Sequence, residues 1–265
     1  MSSSAKRALR ILSAVGTPGR PVGVTEIARS MALPPGTVFR GLDALVRADL
    51  LARYQASSRY VLGHAAGGLK QSLLARFRIR EVCLPYLRQL ASASGETTAL
   101  YVRLGWYAVR IATAPGTAEV TDVPPSDDVH LLGASYPGRV ILAHLSPPKI
   151  APYRAFVSSH GLEVTKISVL KAELAAVQAR GFALGEPALS DPRVAVALPI
   201  RKFDQAIAAL AIEGPMVEPS NYRRHAGISA WRDIRGAIET LIRAQPALFA
   251  HPFEHIAPDE IVFSS

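Results

Sequence analysis

Residues 30–42 read SMALPPGTVFRGL, two prolines and a glycine set between segments that otherwise both follow a helical pattern. Neither proline suits a helix interior, because each lacks a backbone N–H and its ring meets the preceding turn. Either can open a helix, where the first position needs no donor and a fixed φ is an advantage. The stretch therefore predicts a short helix, a tight turn and a second helix whose first exposed residues, Thr37, Phe39 and Arg40, are polar, aromatic and basic.

The flanks extend this pattern. Upstream, SAKRALRILSAVG puts Ala8, Ile11, Leu12 and Val15 at i, i+3, i+4 and i+7, the stripe of an amphipathic helix, with Lys6, Arg7 and Arg10 off it. Thr25 is expected as the N-cap of the short helix EIARSM, which buries Ile27, Ala28 and Met31. Past the prolines, Val38, Leu42, Leu45 and Val46 line one face of the third helix, and Arg40, Asp43, Ala44 and Arg47 lie opposite. LLARYQASSRYVLG then reads as a hairpin about the tip QASS, with Arg53, Tyr54, Arg59 and Tyr60 near that tip. Together these elements predict a winged helix-turn-helix. Its third helix would enter the major groove with its first residues toward base edges, and its wing would touch backbone or minor groove. The same module can instead serve protein contacts, so the charge bears on the choice.

The net charge is +9, and it is unevenly spread. Residues 1–80 hold 13 Lys and Arg against Glu26, Asp43 and Asp49, a balance of +10, whereas residues 81–265 hold 17 against 18, a balance of −1. A localised basic excess is the footprint of a nucleic-acid binder, since cationic side chains displace counterions condensed on phosphates. A solvated basic face or an anionic-membrane patch is the plainer alternative. The one cysteine, Cys83, allows no intramolecular disulfide and fits a reducing compartment. MSSSAKRALRIL has no apolar run long enough for a signal sequence, and no run of about 18 apolar residues follows. The expectation is a soluble, cytoplasmic protein with no membrane partner. At 265 residues and 49% hydrophobic content the chain can form two domains, or one large one.

The remainder predicts an α+β domain. Residues 64–80 read as a basic helical connector, and 81–93 continue as helix. Residues 97–103 and 107–113 flank Gly105 as a hairpin, with Trp106 beside the turn as a packing residue. The helix SVLKAELAAVQAR stops at Gly181, AVALPI and AIAALAIEG read as buried strands, and a final helix covers residues 220–243. This order suits a mixed sheet covered by helices.

ALRILSAV, VTEIARSMALPPGTVFRGLDALVRADLLAR and RYVLG resemble the N-terminal domain of the IclR-type bacterial transcriptional regulators. GETTALYV, LKAELAAVQARGFAL and AALAIEGP resemble their effector-binding domain, in the same order along residues 5–245. The resemblance implies a winged helix-turn-helix DNA-binding domain over 1–63, a linker helix over 64–80, a GAF-like mixed α/β effector-binding domain over 81–250 and a C-terminal tail over 251–265. It also implies a homodimer or dimer of dimers on palindromic double-stranded operator DNA, responding to a small-molecule effector and acting as a repressor of a nearby catabolic operon. The DNA-binding residues would be Thr25, Thr37, Phe39, Arg40, Arg47, Arg53 and Arg59.

The chain also departs from the family. Relatives fringe their pocket with helix-start N–H donors, an acidic residue, a cysteine and a Ser-x-Ser pair. Matched onto this sequence, the donors fall on Tyr136 and Pro137, the acid on Gly185, the cysteine on Ala195, and the serines on Ala211 and Glu213. Pro137 has no N–H, Gly185, Ala195 and Ala211 no polar side chain, and Glu213 adds negative charge, so a compact keto acid fits poorly. With Leu131, Leu132 and Tyr136 nearby, a mostly apolar or aromatic effector carrying N–H or O–H groups is the expectation. Glu213 either accepts from that ligand, pairs with Arg103 or Arg110, or faces outward. In the recognition turn the family's usual Lys-Ser pair and histidine are replaced by Pro35, Gly36 and Phe39, so its operators do not transfer.

The rival class is an enzyme or ligand carrier whose basic N-terminal domain serves only in assembly. There is no G-x-S-x-G, P-loop or dinucleotide fingerprint, and no closely spaced zinc set. His64, His130, His144, His160, His225, His251 and His255 are scattered, and the terminal HPFEH reads as a polar tail before a metal site. No cofactor, metal or catalytic residue is expected.

Overall fold

The computed structural model describes residues 3–54, 57–116, 129–145, 147–159, 167–184, 193–202, 205–215 and 227–250, and divides into two units, Met1–Arg76 and Phe77–Ser265. In the first unit the helices α1 (Ser3–Gly16), α2 (Val24–Met31) and α3 (Pro35–Arg47) turn the predicted stripes inward. Ile11, Val38 and Leu42 have no exposed surface and gather with Ile27, Leu45 and Leu51. Burying a side chain of that size is worth about 1.5–3 kcal/mol. The eight residues of α2 could not stand alone, so this core is what holds them helical. A Cβ at Gly41 would lie 2.4 Å from Ile11 Cδ1, and the bare glycine lets α1 approach α3.

The proline turn behaves as the sequence predicts. Ala32 caps α2 in the left-handed region at φ +52°, and Leu33 N–H returns to the Ala28 carbonyl. Pro34 is then the N-cap of α3 and Pro35 its first residue, while the Pro34 carbonyl accepts from Thr37 N–H at 2.9 Å. Neither ring removes a hydrogen bond.

Thr25 is not the N-cap of α2. Gly23 holds that position at φ −98°, ψ 159°, with no side-chain cap, so the helix begins one residue before Thr25 and leaves it exposed in the first turn. Glycine reaches this extended cap conformation at no steric cost.

The hairpin pairs β1 (Leu51–Tyr54) with β2 (Arg59–Leu62), setting Arg53 against Tyr60 and Tyr54 against Arg59. It is tied back to the loop before α2. Val22 and Tyr60 exchange two backbone hydrogen bonds of 3.0 and 2.8 Å, and Arg59 Nη1 donates to the Pro21 carbonyl at 3.1 Å.

The connector is not one helix over residues 64–80. α4 (His64–Leu74) ends in a turn, and α5 (Ile79–Ser94) starts a new helix. The break lets Phe77, 3% exposed, enter the second unit, where it borders a small apolar cavity with Ile79, Val102, Ile207 and Phe249.

The second unit is an α+β fold on one six-stranded sheet. The strands β3 (Thr97–Leu104), β4 (Tyr107–Ala114), β5 (Val129–Leu131), β6 (Ala183–Leu184), β7 (Arg193–Lys202) and β8 (Gln205–Pro215) lie in the order β5-β4-β3-β8-β7-β6. Every pairing among the described strands is antiparallel, so the sheet is not mixed in strand direction. Alternation divides β3 between two layers: the Thr98 hydroxyl donates to the Leu87 carbonyl of α5, while Ala99 and Tyr101 face the opposite core. That core holds α6 (Tyr136–Ala143), α8 (Ile167–Arg180) and Tyr153 of α7 (Pro147–Ser159), and Trp106 stacks 5.5 Å from Tyr153 as a packing residue. On the α5 side, α9 (Gly227–Ala244) packs on β7 and α5. Gly185, His160, His225 and the expected tail over 251–265 lie outside the described residues.

Candidate DNA interface and effector site

The outward stripe of α3 runs through Gly36, Phe39, Arg40, Asp43 and Arg47, with Val38, Leu42 and Leu45 buried behind it. Phe39 is 48% exposed on this stripe. Among the described residues Arg40 has no hydrogen-bond or ion-pair partner, whereas Arg47 Nη2 sits 2.6 Å from Asp43 Oδ2. Thr37 lies in the first turn, half-buried.

On the wing, Arg53 Nη2 donates to Ser58 Oγ at 2.9 Å, and Arg59 is anchored on Pro21. Thr25 stands at the uncapped start of α2, beside Glu26 and its ion pair with Arg20. The expected DNA-binding residues thus all belong to one folded unit. Arg40 is the cation left open on its helix, and Arg59 is in part structural.

In the second unit, the sheet register explains which site residues meet. Glu213 is paired with Thr97 on β3 and with Ala195 on β7. The next level carries Ala99, Ala211 and Ala197, and the one after it Tyr101 and Ala209. Ala99 and Ala211 are small enough to leave room above them, and Tyr101 reaches across so that its hydroxyl donates a hydrogen bond to Glu213 Oε1 at 2.5 Å. Arg110, opposite Tyr101 on β4, brings Nη1 to 3.4 Å from Glu213 Oε2. The Arg110 and Glu213 side chains are only 12% and 10% exposed. Glu213 thus faces inward and pairs with Arg110 rather than Arg103. Arg103 Nη1 donates to the Gly105 carbonyl, and burial lowers its guanidinium from the ordinary value.

The start of α6 is committed at two of its N–H groups. Pro137 brings no N–H, Gly138 N–H donates to the N-cap hydroxyl of Ser135 at 3.2 Å, and Arg139 N–H to the Ser135 carbonyl at 2.8 Å. Leu132 and Tyr136 pack in the same apolar layer as Ala211, Leu132 with no exposed surface, and Pro137 is buried in the first turn of α6. Arg139 holds the preceding loop by donating to the Gly133 carbonyl and pairing with Glu173 at 3.0 Å, while its guanidinium lies 5.3 Å from the Tyr136 ring. Gly133 N–H donates to the Tyr153 hydroxyl at 2.8 Å, and desolvation raises that phenol above its ordinary value. Sequence reasoning missed Ser135 as a cap, although a serine directly before a Tyr-Pro-Gly helix start is the usual signature. Tyr101, Arg139 and Tyr153 carry no such signature.

No helix among the described residues is long and apolar enough to cross a membrane, and no cluster of His, Cys, Asp and Glu among them could hold a metal. Residues 4–54 match the IclR helix-turn-helix domain, and residues 71–237 the bacterial transcriptional regulator IclR C-terminal domain. The chain is 26% identical to the regulator BhcR of Paracoccus denitrificans over 226 residues, 83% of this chain and 80% of that protein. It is likewise 26% identical to the glycerol operon regulatory protein of Streptomyces griseus, over 89% of this chain and 94% of that one. Its fold superimposes with a TM-score of 0.68 on an IclR homolog from Microbacterium hydrocarbonoxydans complexed with 4-hydroxybenzoate, at 24% identity over 91% of this chain and 100% of that one. The Thermotoga maritima IclR structure gives 0.64 at 21% identity over 90% and 98%. Both matched domains are those of transcriptional regulators rather than enzymes, and together they cover most of the sequence: the chain belongs to the IclR family.

Proposed function

We propose that this regulator acts in the cytoplasm as a homodimer or dimer of dimers on a palindromic operator and represses a nearby catabolic operon until a small molecule binds its second domain. Arg40 and Thr37 read base edges, Phe39 lies against them, and Arg47, Arg53, Arg59 and the Thr25 end of α2 hold phosphates. The observation that carries this reading is Arg40, a cation with no partner among the described residues, on the outward stripe of a winged helix within the segment of +10 charge. The two-fold contact runs through the helix of residues 5–15 and the segment of residues 64–80, where Leu9 and Leu69 are 52% and 65% exposed.

The effector is mostly apolar or aromatic and offers N–H or O–H groups. It is held near Leu132, Tyr136, Pro137, Gly185, Ala195, Ala211 and Glu213. The spent donors at the start of α6 support this choice, because a carboxylate arriving there would find Pro137 and two N–H groups already used. Glu213 remains able to accept from a ligand, since a carboxylate has about four lone-pair sites. The same fold houses a small aromatic molecule in the Microbacterium hydrocarbonoxydans homolog.

The test is retardation of the DNA upstream of its own gene across a salt series, with and without ligand. A steep loss of affinity with salt is expected, with release by aromatic amides, hydrazides or phenols. Binding that ignores salt, or release by glyoxylate or pyruvate alone, overturns the DNA or the effector half respectively.

A further inference from the structure

Phe39 is the one large apolar side chain that α3 turns away from the core, and nothing on its own helix covers it. Its neighbours one turn away on the outer side are Gly36, with open space where a Cβ would stand, and Asp43, whose carboxylate is turned to Arg47. Leaving half a phenylalanine in water beside Arg40 gains nothing for folding. Resting on the DNA-binding reading above, we infer that Phe39 is a specificity-determining residue that reads thymine by its 5-methyl group.

The chemistry is selective. In the major groove, thymine is the base pair member that offers an apolar group, and a phenylalanine ring is among the side chains that accept it. A ring has no donor or acceptor, so it discriminates by excluding water from that methyl and leaving cytosine or adenine amino groups unsatisfied beside it. Gly36 lets the ring approach the base edge without a side chain between them. The adjacent Arg40 supplies the complementary readout, a guanidinium suited to guanine. Phe39 and Arg40 together therefore favour a half-site in which a thymine lies within a base step or two of a guanine.

The full chain is footprinted on its upstream DNA, or on duplexes selected from a random pool, and each thymine of the protected site is replaced in turn by uracil, which removes only the methyl. One thymine per half-site is expected to weaken the wild type about fourfold when demethylated, the factor for one buried methyl group, and symmetric replacement in both half-sites about sixteenfold. Phe39→Ala should bind thymine and uracil sites alike, while Phe39→Leu, still apolar, keeps part of the difference. A wild type indifferent to every replacement overturns the inference, as does a Phe39→Ala protein that still distinguishes the two sites. Salt-sensitive binding in either case leaves the DNA reading standing, whereas failure to bind any duplex removes both.

Discussion

Tyr101 and Glu213 are joined by a 2.5 Å hydrogen bond across 112 residues of sequence, and Arg110 closes the group from the other side at 3.4 Å. A carboxylate this deep is stable only because both oxygens are served. The three residues lie on three adjacent antiparallel strands, so the group pins β4, β3 and β8 together on the face that packs against α6 and α8.

Removing one member should therefore cost more than removing two. Arg110→Met leaves a buried carboxylate with one donor and is expected to destabilise the second unit by about 3 kcal/mol, the lower end for a broken buried pair. Tyr101→Phe should cost about 1.5–3 kcal/mol, as a lost hydrogen bond to a charged group. The double variant Arg110→Met/Glu213→Leu should recover most of the loss. Urea denaturation of the wild type, the single variants Arg110→Met, Tyr101→Phe and Glu213→Leu, and the double variant measures this; a double variant no more stable than the sum of its single changes would remove the coupling.

Arg40→Ala should weaken operator binding by about 1 to 3 kcal/mol and relax sequence preference, because it removes the group proposed to read a base. Arg53→Ala should weaken all sequences alike and shallow the salt slope by about one phosphate contact. Arg59→Ala is expected to do the same and also to lower the melting temperature, since it frees the Pro21 carbonyl. Titrations at several salt concentrations, with a melting curve for each variant, separate the three behaviours.

Two glycines should respond in opposite directions. A Cβ at Gly138 would stand 2.4 Å from the Leu132 carbonyl oxygen and 2.7 Å from Leu132 Cα, both backbone atoms, so Gly138→Ala should destabilise by about 1 to 3 kcal/mol. Gly68 lies inside α4 with nothing within 4 Å of its Cβ position, and Gly68→Ala should stabilise that helix by about 0.5–1 kcal/mol. Thermal melting of both proteins reads the signs directly.

His144, at the end of α6, has its pKa lowered by burial and by the positive charges of Arg201 and Arg235, against a raising hydrogen bond to the Val140 carbonyl. A histidine depressed in the folded state contributes stability above its unfolded pKa, near 6.5, and loses it as pH falls from there through the folded value. The wild type should thus lose melting temperature between pH 7.5 and 5.5 more than His144→Asn does. Equal losses in the two proteins would remove His144 from the acid response.

Sedimentation at micromolar concentration should show a species of at least twice the 28.3 kDa chain mass. A 28.3 kDa particle both with and without DNA would contradict the proposed two-fold contact through α1 and the segment of residues 64–80.

The first unit was legible because its signals are local. The stripe of Ile11 and Val15, the Pro34-Pro35 start and the alternation around the wing tip each act over fewer than a dozen residues. Thr25 misled because a good capping residue stood two places after a glycine that adopts the cap conformation unaided. Residues 64–80 keep a helical composition throughout, and the break at residues 75–78 follows from where Phe77 is buried, which no local pattern records. α7 was hidden by the prolines at 147, 148 and 152, and β5 and β6 are three and two residues long. Glu213 showed three possible roles in sequence. The register, which places two alanines between it and Tyr101, turns it inward onto Tyr101 and Arg110, and a role toward a ligand leaves no trace in local sequence.

The two backbone bonds between Val22 and Tyr60 make the wing and the recognition helix a calliper of fixed opening. The loop that carries Val22 runs directly into α2, and α2 is packed on α3, so the hairpin cannot swing outward without breaking the core that sets the helix angle. On the proposed palindromic operator the protein would therefore measure a constant interval along the duplex within one half-site. A base pair inserted inside that interval should be as damaging as a wrong base, and any variation in operator spacing must be taken up between half-sites.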